Sequence, residues 1–152
     1  MRYRISVVVL IMLTHLVAND RHQMNIYTNV SRAGYTPGLA YLYLFGKNFG
    51  LELGAYYGLG ESTVNVEYDV YGVNLLLTHT NSIDKDQTLV LKLGPAYREY
   101  QLTYTTSTST VVNQEIYYYN YGFDYLYKVK EFGTIGLSYF ADSFGVVYRI
   151  AF

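Results

Sequence analysis

The sequence contains no cysteine and no tryptophan, and only two prolines in 152 residues. Without cysteine an exported chain needs no oxidative folding, and a lipoprotein-type lipid anchor is excluded. Charge is scarce as well. Charged residues make up 15% of a chain that is 51% hydrophobic, a balance that favours neither a helix bundle nor disorder. No basic stripe is present. Removing Arg2 and Arg4 with a leader takes the 11 basic residues to 9 against 12 acidic ones, a net of about −3, so nucleic acid is not an expected partner. Helical periodicity is missing after the first residues. No Gly-rich phosphate loop can therefore open a helix, and nucleotide chemistry is not expected.

What is abundant points to strands. Twenty Tyr, seven Phe and 13 Gly form an inventory that sits well on pleated surfaces joined by tight turns. At the N-terminus, Arg2 and Arg4 precede an apolar run from Ile5 to Leu16, and Leu16-Val17-Ala18 offers a cleavage site before Asn19. The run is too short for a membrane-spanning helix, which needs about 20 apolar residues, and reads as a signal peptide. The expected division is a cleaved signal peptide over 1–18 and one β-domain over 19–152. Leu16 stands where a small residue is usual, so the cut could shift by a few positions.

Strand-like segments recur between Gly, Asn, Asp and Ser punctuation: Gln23 to Ser31, Gly38 to Phe45, Asn48 to Leu59, Tyr68 to Thr80, Gln87 to Tyr104, Val112 to Val129, Thr134 to Phe140 and Phe144 to Phe152. The middle ones alternate strictly. Phe49, Leu51, Leu53, Ala55 and Tyr57 share one face, with Gly50, Glu52, Gly54, Tyr56 and Gly58 opposite. Tyr71, Val73, Leu75 and Leu77 repeat the pattern against Gly72, Asn74, Leu76 and Thr78. So do Leu89, Leu91, Leu93, Pro95 and Tyr97 against Lys92, Gly94, Ala96 and Arg98. The sixth segment sets Tyr117, Tyr119, Tyr121, Phe123, Tyr125 and Tyr127 against Asn120, Gly122, Asp124 and Lys128. A soluble sandwich would have to leave either the aromatic rows or the charges in water. A membrane barrel turns the apolar face to lipid and keeps polar groups inside. The predicted fold is therefore all-β: a closed antiparallel eight-stranded transmembrane β-barrel, a meander preceded by a cleaved signal peptide. The segment from Leu39 to Phe45 is apolar on both faces, which leaves the register of the first two strands open.

A charge facing lipid costs about 2–4 kcal/mol, so Glu52, Lys92, Asp124 and Arg149 are expected to point inward at similar depth and pair as a buried network. Short connections at Gly46-Lys47, Asn81 to Asp86 and Lys130 to Gly133 fall on the side of both chain ends, the periplasmic side of a bacterial barrel. The outward connections are Arg32 to Pro37, Gly60 to Glu67, Thr105 to Val111 and Ala141 to Ser143. Arg98 to Tyr104 and Val112 to Tyr118 carry the strand pattern beyond the roughly ten residues that cross a bilayer. The surface hairpin they form, tipped by Thr105, Thr106, Ser107, Thr108, Ser109 and Thr110, should project and could recruit a partner strand.

The last residues place Phe144, Val146, Tyr148, Ile150 and Phe152 on one face. A chain ending on Phe with apolar or aromatic residues at every second position looks like the C-terminal sorting strand of bacterial outer-membrane barrels. Within the fifth segment, Gly94-Pro95-Ala96-Tyr97-Arg98 resembles the GPAYR segment of the Ail/OmpX/Lom family of small outer-membrane barrels. That family carries the segment on its fourth strand, and the long outer loops of its adhesins are missing here. The resemblance implies an eight-stranded barrel with a protruding surface sheet, used in adhesion, complement evasion and virulence or as a structural membrane element. The implied partners are outer-membrane lipid and lipopolysaccharide, the barrel-assembly machinery during biogenesis, and a host or matrix protein; the expected state is a monomer.

Catalytic alternatives are thin. His79-Thr80-Asn81-Ser82 holds a His and hydroxyls, the minimum for nucleophilic catalysis of the lipid A deacylase kind, but it lies at the predicted periplasmic end without an acidic partner. A turn rich in Asn and Ser is the simpler account. Asp84 and Asp86 read as a solvated turn, and His15 and His22 as parts of the signal and the N-terminal tail. No metal, cofactor or catalytic residue is expected. A surface interaction protein ranks first among the functions, then a purely structural barrel, then a lipid-modifying enzyme.

Overall fold

The computed structural model describes residues 21–31, 34–59, 66–104, 110–129 and 133–151. The expected signal peptide over 1–18, the hairpin tip over 105–109 and Phe152 lie outside the described residues. Alternation of small or polar with apolar residues becomes eight strands: β1 (His22–Ser31), β2 (Gly34–Leu44), β3 (Phe49–Leu59), β4 (Val66–Ser82), β5 (Gln87–Tyr104), β6 (Thr110–Val129), β7 (Gly133–Phe140) and β8 (Ser143–Ala151). Each pairs antiparallel with the next, and β8 returns to β1 through Gln23↔Ala151 to Ser31↔Ser143. The sheet is closed, so the barrel wall itself has no edge.

Face assignment follows the alternation. Leu51, Leu53, Leu75, Leu77, Leu91, Leu93 and Leu137 turn outward, Leu93 at 57% and Leu137 at 63% exposure. The interior takes Glu52, Asn74, Thr78, Lys92, Asn120, Asp124 and Arg149 together with an apolar layer of Leu42, Leu76, Val90, Leu126 and Val147. That layer fixes the register the sequence left open: Asn25, Tyr27, Asn29, Thr36, Ala40 and Leu42 point in, while Ile26, Val30, Tyr35, Leu39 and Tyr43 point out.

Several boundaries differ from the sequence reading. β2 begins at Gly34, ahead of Gly38, and runs through Pro37, which pairs with Thr28 of β1. Its pairing to β3 passes from Tyr35↔Leu59 to Gly38↔Tyr56 and skips the proline, where no N–H is available. The second proline behaves alike: the β4–β5 ladder passes from Asn74↔Ala96 to Leu77↔Leu93, skipping Pro95 and Gly94. Both prolines thus sit inside strands at ladder gaps, where a turn was the natural reading of the first. Thr110 and Val111 belong to β6, opposite Tyr104 and Thr103, and Ser143 belongs to β8. His22 opens β1 opposite Tyr43, so it lies in the sheet and not in a tail. Lys128 has inward parity but is exposed, because it stands at the rim beyond the filled lumen.

Strand length is uneven. β4, β5 and β6 have 17, 18 and 20 residues, whereas β7 and β8 have 8 and 9. β3 pairing on β4 stops at Asp69, and β7 pairing on β6 stops at Gly122. Beyond those points the three strands continue as a projecting sheet, at the end opposite the turns 45–48 and 83–86 and residues 21 and 151.

Candidate functional site: the lumen ring and the projecting sheet

Four charged side chains meet at the barrel waist from β3, β5, β6 and β8. Lys92 Nζ lies 2.9 Å from Glu52 Oε2 and 2.6 Å from Asp124 Oδ2. Arg149 reaches Asp124 Oδ2 with Nη2 at 3.3 Å and donates Nε–H to Asn25 Oδ1 at 2.7 Å. Asn25 Nδ2 in turn donates to Glu52 Oε2 at 2.6 Å. The contacts close a ring: Glu52, Lys92, Asp124, Arg149, Asn25 and back to Glu52. Two carboxylates balance two cations, which is the condition under which charges can be buried this fully. Tyr27 stands in the ring, donating its hydroxyl to Glu52 Oε2 at 3.0 Å and receiving Lys92 Nζ–H. Phe140 packs edge-on against the Tyr27 ring at 5.9 Å. Sequence reasoning named the four charges but not Asn25 or Tyr27. The Asn25/Asn29 alternation was a usable signal for the inward face and carries Tyr27 with it by parity, but nothing in the sequence marked Tyr27 as a partner of the charges.

Outward of the ring, a pocket of about 40 Å³ is lined by Asn29, Asn74, Asn120, Tyr56 and Arg98 among others. Such a volume holds a few waters and no continuous pore. Arg98 closes its mouth. The guanidinium donates Nε–H to Tyr56 Oη (2.7 Å), Nη1–H to Tyr100 Oη (3.0 Å) and Nη2–H to Tyr118 Oη (2.8 Å), and pairs with Asp142 in the β7–β8 turn. One side chain thereby ties the root of the projecting sheet to β3 and to the far wall.

The projecting sheet has two chemically distinct faces. At its root the outward face carries Tyr57 and Tyr71 on the barrel wall of β3 and β4 and Tyr97 and Tyr117 on β5 and β6, packed in pairs at 5.0 Å between ring centres. Beyond them lie Glu67, Asp69, Glu99 and Glu115, with Glu99 directly opposite Glu115. Of the hairpin tip, only Thr110 is described, exposed at the start of β6. In the last strand Phe144 and Val146 are outward and exposed, Tyr148 and Ile150 half-buried.

The remaining chemistry resolves into local structure. His79 packs on Phe49 at 4.7 Å between ring centres and bonds Asn81 at 3.1 Å; among the described residues no carboxylate bonds it. Asp84 Oδ1 accepts the backbone N–H of Asp86 and of Gln87, both at 2.8 Å, a turn motif. Among the described residues no group of His, Asp and Glu could hold a metal ion.

No family model matches the sequence, and no curated protein does. Solved structures do match. A major outer membrane protein from Thermus thermophilus superposes with a TM-score of 0.61 at 10% identity, covering 85% of this chain and 99% of that one. The fold is that of a small bacterial outer-membrane β-barrel. Two other such barrels agree with it. The attachment invasion locus protein Ail of Yersinia pestis matches with a TM-score of 0.55 at 15% identity, over 85% of this chain and 97% of that one. The N-terminal barrel domain of Pseudomonas aeruginosa OprF gives 0.56 at 14%, over 88% and 100%. Ail has also been solved with the heparin analogue sucrose octasulfate.

Proposed function

We propose that this barrel is an exported, monomeric, non-enzymatic protein of the bacterial outer membrane that binds a host or matrix protein through the sheet projecting around residues 98–118. The observation that carries the reading is the unequal strand length: β5 and β6 stay paired out to Tyr104↔Thr110, well past Gly122 where β7 pairing on β6 ends, a costly feature for a barrel that merely fills the membrane. The outward leucine and tyrosine rows suit lipid and the acyl chains of lipopolysaccharide. The lumen ring and its closed waist suit a mechanical role. Phe144, Val146, Tyr148, Ile150 and Phe152 then form the strand that the barrel-assembly machinery recognises.

The test is a strain displaying a barrel in which residues 101–113 are replaced by a tight turn joining Tyr100 to Gln114, which are cross-strand partners. The expected result is unchanged heat-modifiable mobility of the barrel and lost attachment to host cells or matrix. Undiminished attachment would leave only the structural barrel. Mass spectrometry of lipid A from cells with and without the protein should show no difference; a lost or added acyl chain would move the reading to the lipid-modifying enzyme.

A further inference from the structure

Two pairs of tyrosines on the outward face share one construction. Tyr57↔Tyr71 are cross-strand partners between β3 and β4, and Tyr97↔Tyr117 between β5 and β6; both lie at 5.0 Å between ring centres, with planes tilted by 46° and 52°. Backbone parity puts both in the class whose side chains stand closest. Thr80 donates its N–H to Asn48 O at 2.7 Å and Phe45 donates to Phe49 O at 3.1 Å, so odd-numbered residues of β3 turn their backbone groups away from β4. In β6, Lys128 donates to Asp86 O, beside β5, at 2.8 Å, whereas Tyr121 O accepts the N–H of Ala141 on the other side at 3.0 Å. Tyr57 and Tyr117 therefore belong to non-hydrogen-bonded pairs. One hydroxyl of each pair is given to a carboxylate: Tyr57 donates to Asp69 Oδ1 at 3.0 Å and Tyr97 to Glu99 Oε2 at 3.4 Å.

The rest of the chain offers an oxidant few other targets. Cysteine and tryptophan are absent, and Met24 is the one methionine outside the leader expected over 1–18. Tyr117 is 76% exposed, open to a reagent arriving from outside the cell. We propose that Tyr57–Tyr71 and Tyr97–Tyr117 are sites of oxidative coupling, each becoming a dityrosine cross-link when hydrogen peroxide and a haem peroxidase act on the barrel at the cell surface. Each phenol gives up one electron and its hydroxyl proton. Hydrogen peroxide takes up the two electrons and two protons and leaves as two waters. The two phenoxyl radicals join through the ring carbons beside their oxygens; the hydrogen on each of those carbons then moves to oxygen, which restores both phenols and leaves one C–C bond in place of two C–H bonds. Asp69 accepts the Tyr57 proton as the electron leaves, and Glu99 the Tyr97 proton. The product straps neighbouring strands at the root of the projecting sheet, a staple that a chain without cysteine cannot make as a disulfide. It goes beyond the attachment reading and does not depend on it.

The experiment treats the full barrel in nanodiscs, at high dilution, with hydrogen peroxide and a haem peroxidase, and follows dityrosine fluorescence and the peptide map by mass spectrometry. Two linked peptide pairs are expected, Tyr57 to Tyr71 and Tyr97 to Tyr117, each lighter than its parts by two hydrogen atoms, in a barrel that still migrates as a single chain after denaturation. Tyr71→Phe should abolish the first link alone and Tyr117→Phe the second alone. Tyr119→Phe should change neither, because Tyr119 is as exposed as Tyr117 but stands opposite Pro95. Asp69→Asn should slow formation of the Tyr57–Tyr71 link about tenfold or more and leave the other link at its original rate. Phenylalanine keeps the ring and removes only the hydroxyl; should a variant still fail to reach the heat-modifiable form, the peptide map of the unaltered protein decides by itself. Recovery of neither link, or links formed chiefly through Tyr119 or between barrels, overturns the proposal. An unchanged rate for Asp69→Asn overturns the part given to the carboxylate.

Discussion

Replacing Lys92 by methionine should lower the unfolding free energy of the barrel in detergent by about 3–5 kcal/mol, the range for breaking a buried ion pair from one side. Methionine nearly preserves the volume, so the loss comes from charge rather than packing. Lys92 is the cation that touches both carboxylates, at 2.9 Å from Glu52 and 2.6 Å from Asp124. Without it Asp124 keeps Arg149 at 3.3 Å, but Glu52 keeps only the neutral donors Asn25 and Tyr27. A second change follows from this asymmetry. Glu52→Gln in the Lys92→Met background should recover part of the loss, because it neutralises the carboxylate left without a cation. Asp124→Asn in the same background should recover less, since it strands Arg149 instead. Urea titrations followed by tyrosine fluorescence give the three values, and an unchanged midpoint for Lys92→Met would mean the ring contributes nothing to stability.

The ring also shows what could be read from the chain and what could not. In β3 to β6 most inward positions are small, polar or charged between apolar outward neighbours, so period two alone assigned Glu52, Lys92 and Asp124 to the lumen. In β2 that contrast vanishes. Ala40 and Leu42 belong to the dry interior layer, Leu39 and Tyr43 to the outward face, and hydropathy cannot separate two apolar environments. Asn25 and Tyr27, which complete the ring, lie on the strand whose register depends on β2. Arg98 was legible as inward, but its fixation was not. Asp142 sits in a two-residue turn that nothing in the sequence distinguishes from solvent-exposed polar residues, and the Tyr56 and Tyr118 hydroxyls reach Arg98 from strands 42 and 20 residues away. Proline misled at one position. Pro37 reads as loop, yet a barrel strand accepts it where the ladder on one side is already interrupted.

The Pro95 gap leads to the second large effect: Gly94→Ala should cost about 3 kcal/mol, and Gly94→Val should prevent the compact, heat-modifiable form altogether. Gly94 opens the segment Gly94 to Arg98 and faces the lumen beside the skipped rungs of the β4–β5 ladder. A Cβ added there would collide with the carbonyl oxygen of Leu75, and would lie 3.0 Å from both the Leu75 carbonyl carbon and Leu76 Cα. All of these are backbone atoms. Relief requires β4 and β5 to separate, and in a closed sheet neither strand can retreat without straining pairs on its other side. Gly72 is a useful contrast, because the added methyl would meet the Tyr56 ring, a side chain that can shift at the cost of its bond to Arg98 while the backbone stays in place. Gly46 is another, with nothing within 4 Å of its would-be Cβ. Stability should therefore fall in the order Gly46→Ala, Gly72→Ala, Gly94→Ala, with the first close to the unaltered protein. Coincident urea midpoints for Gly46→Ala and Gly94→Ala would mean that β4 and β5 do not approach at this point as closely as the barrel geometry requires.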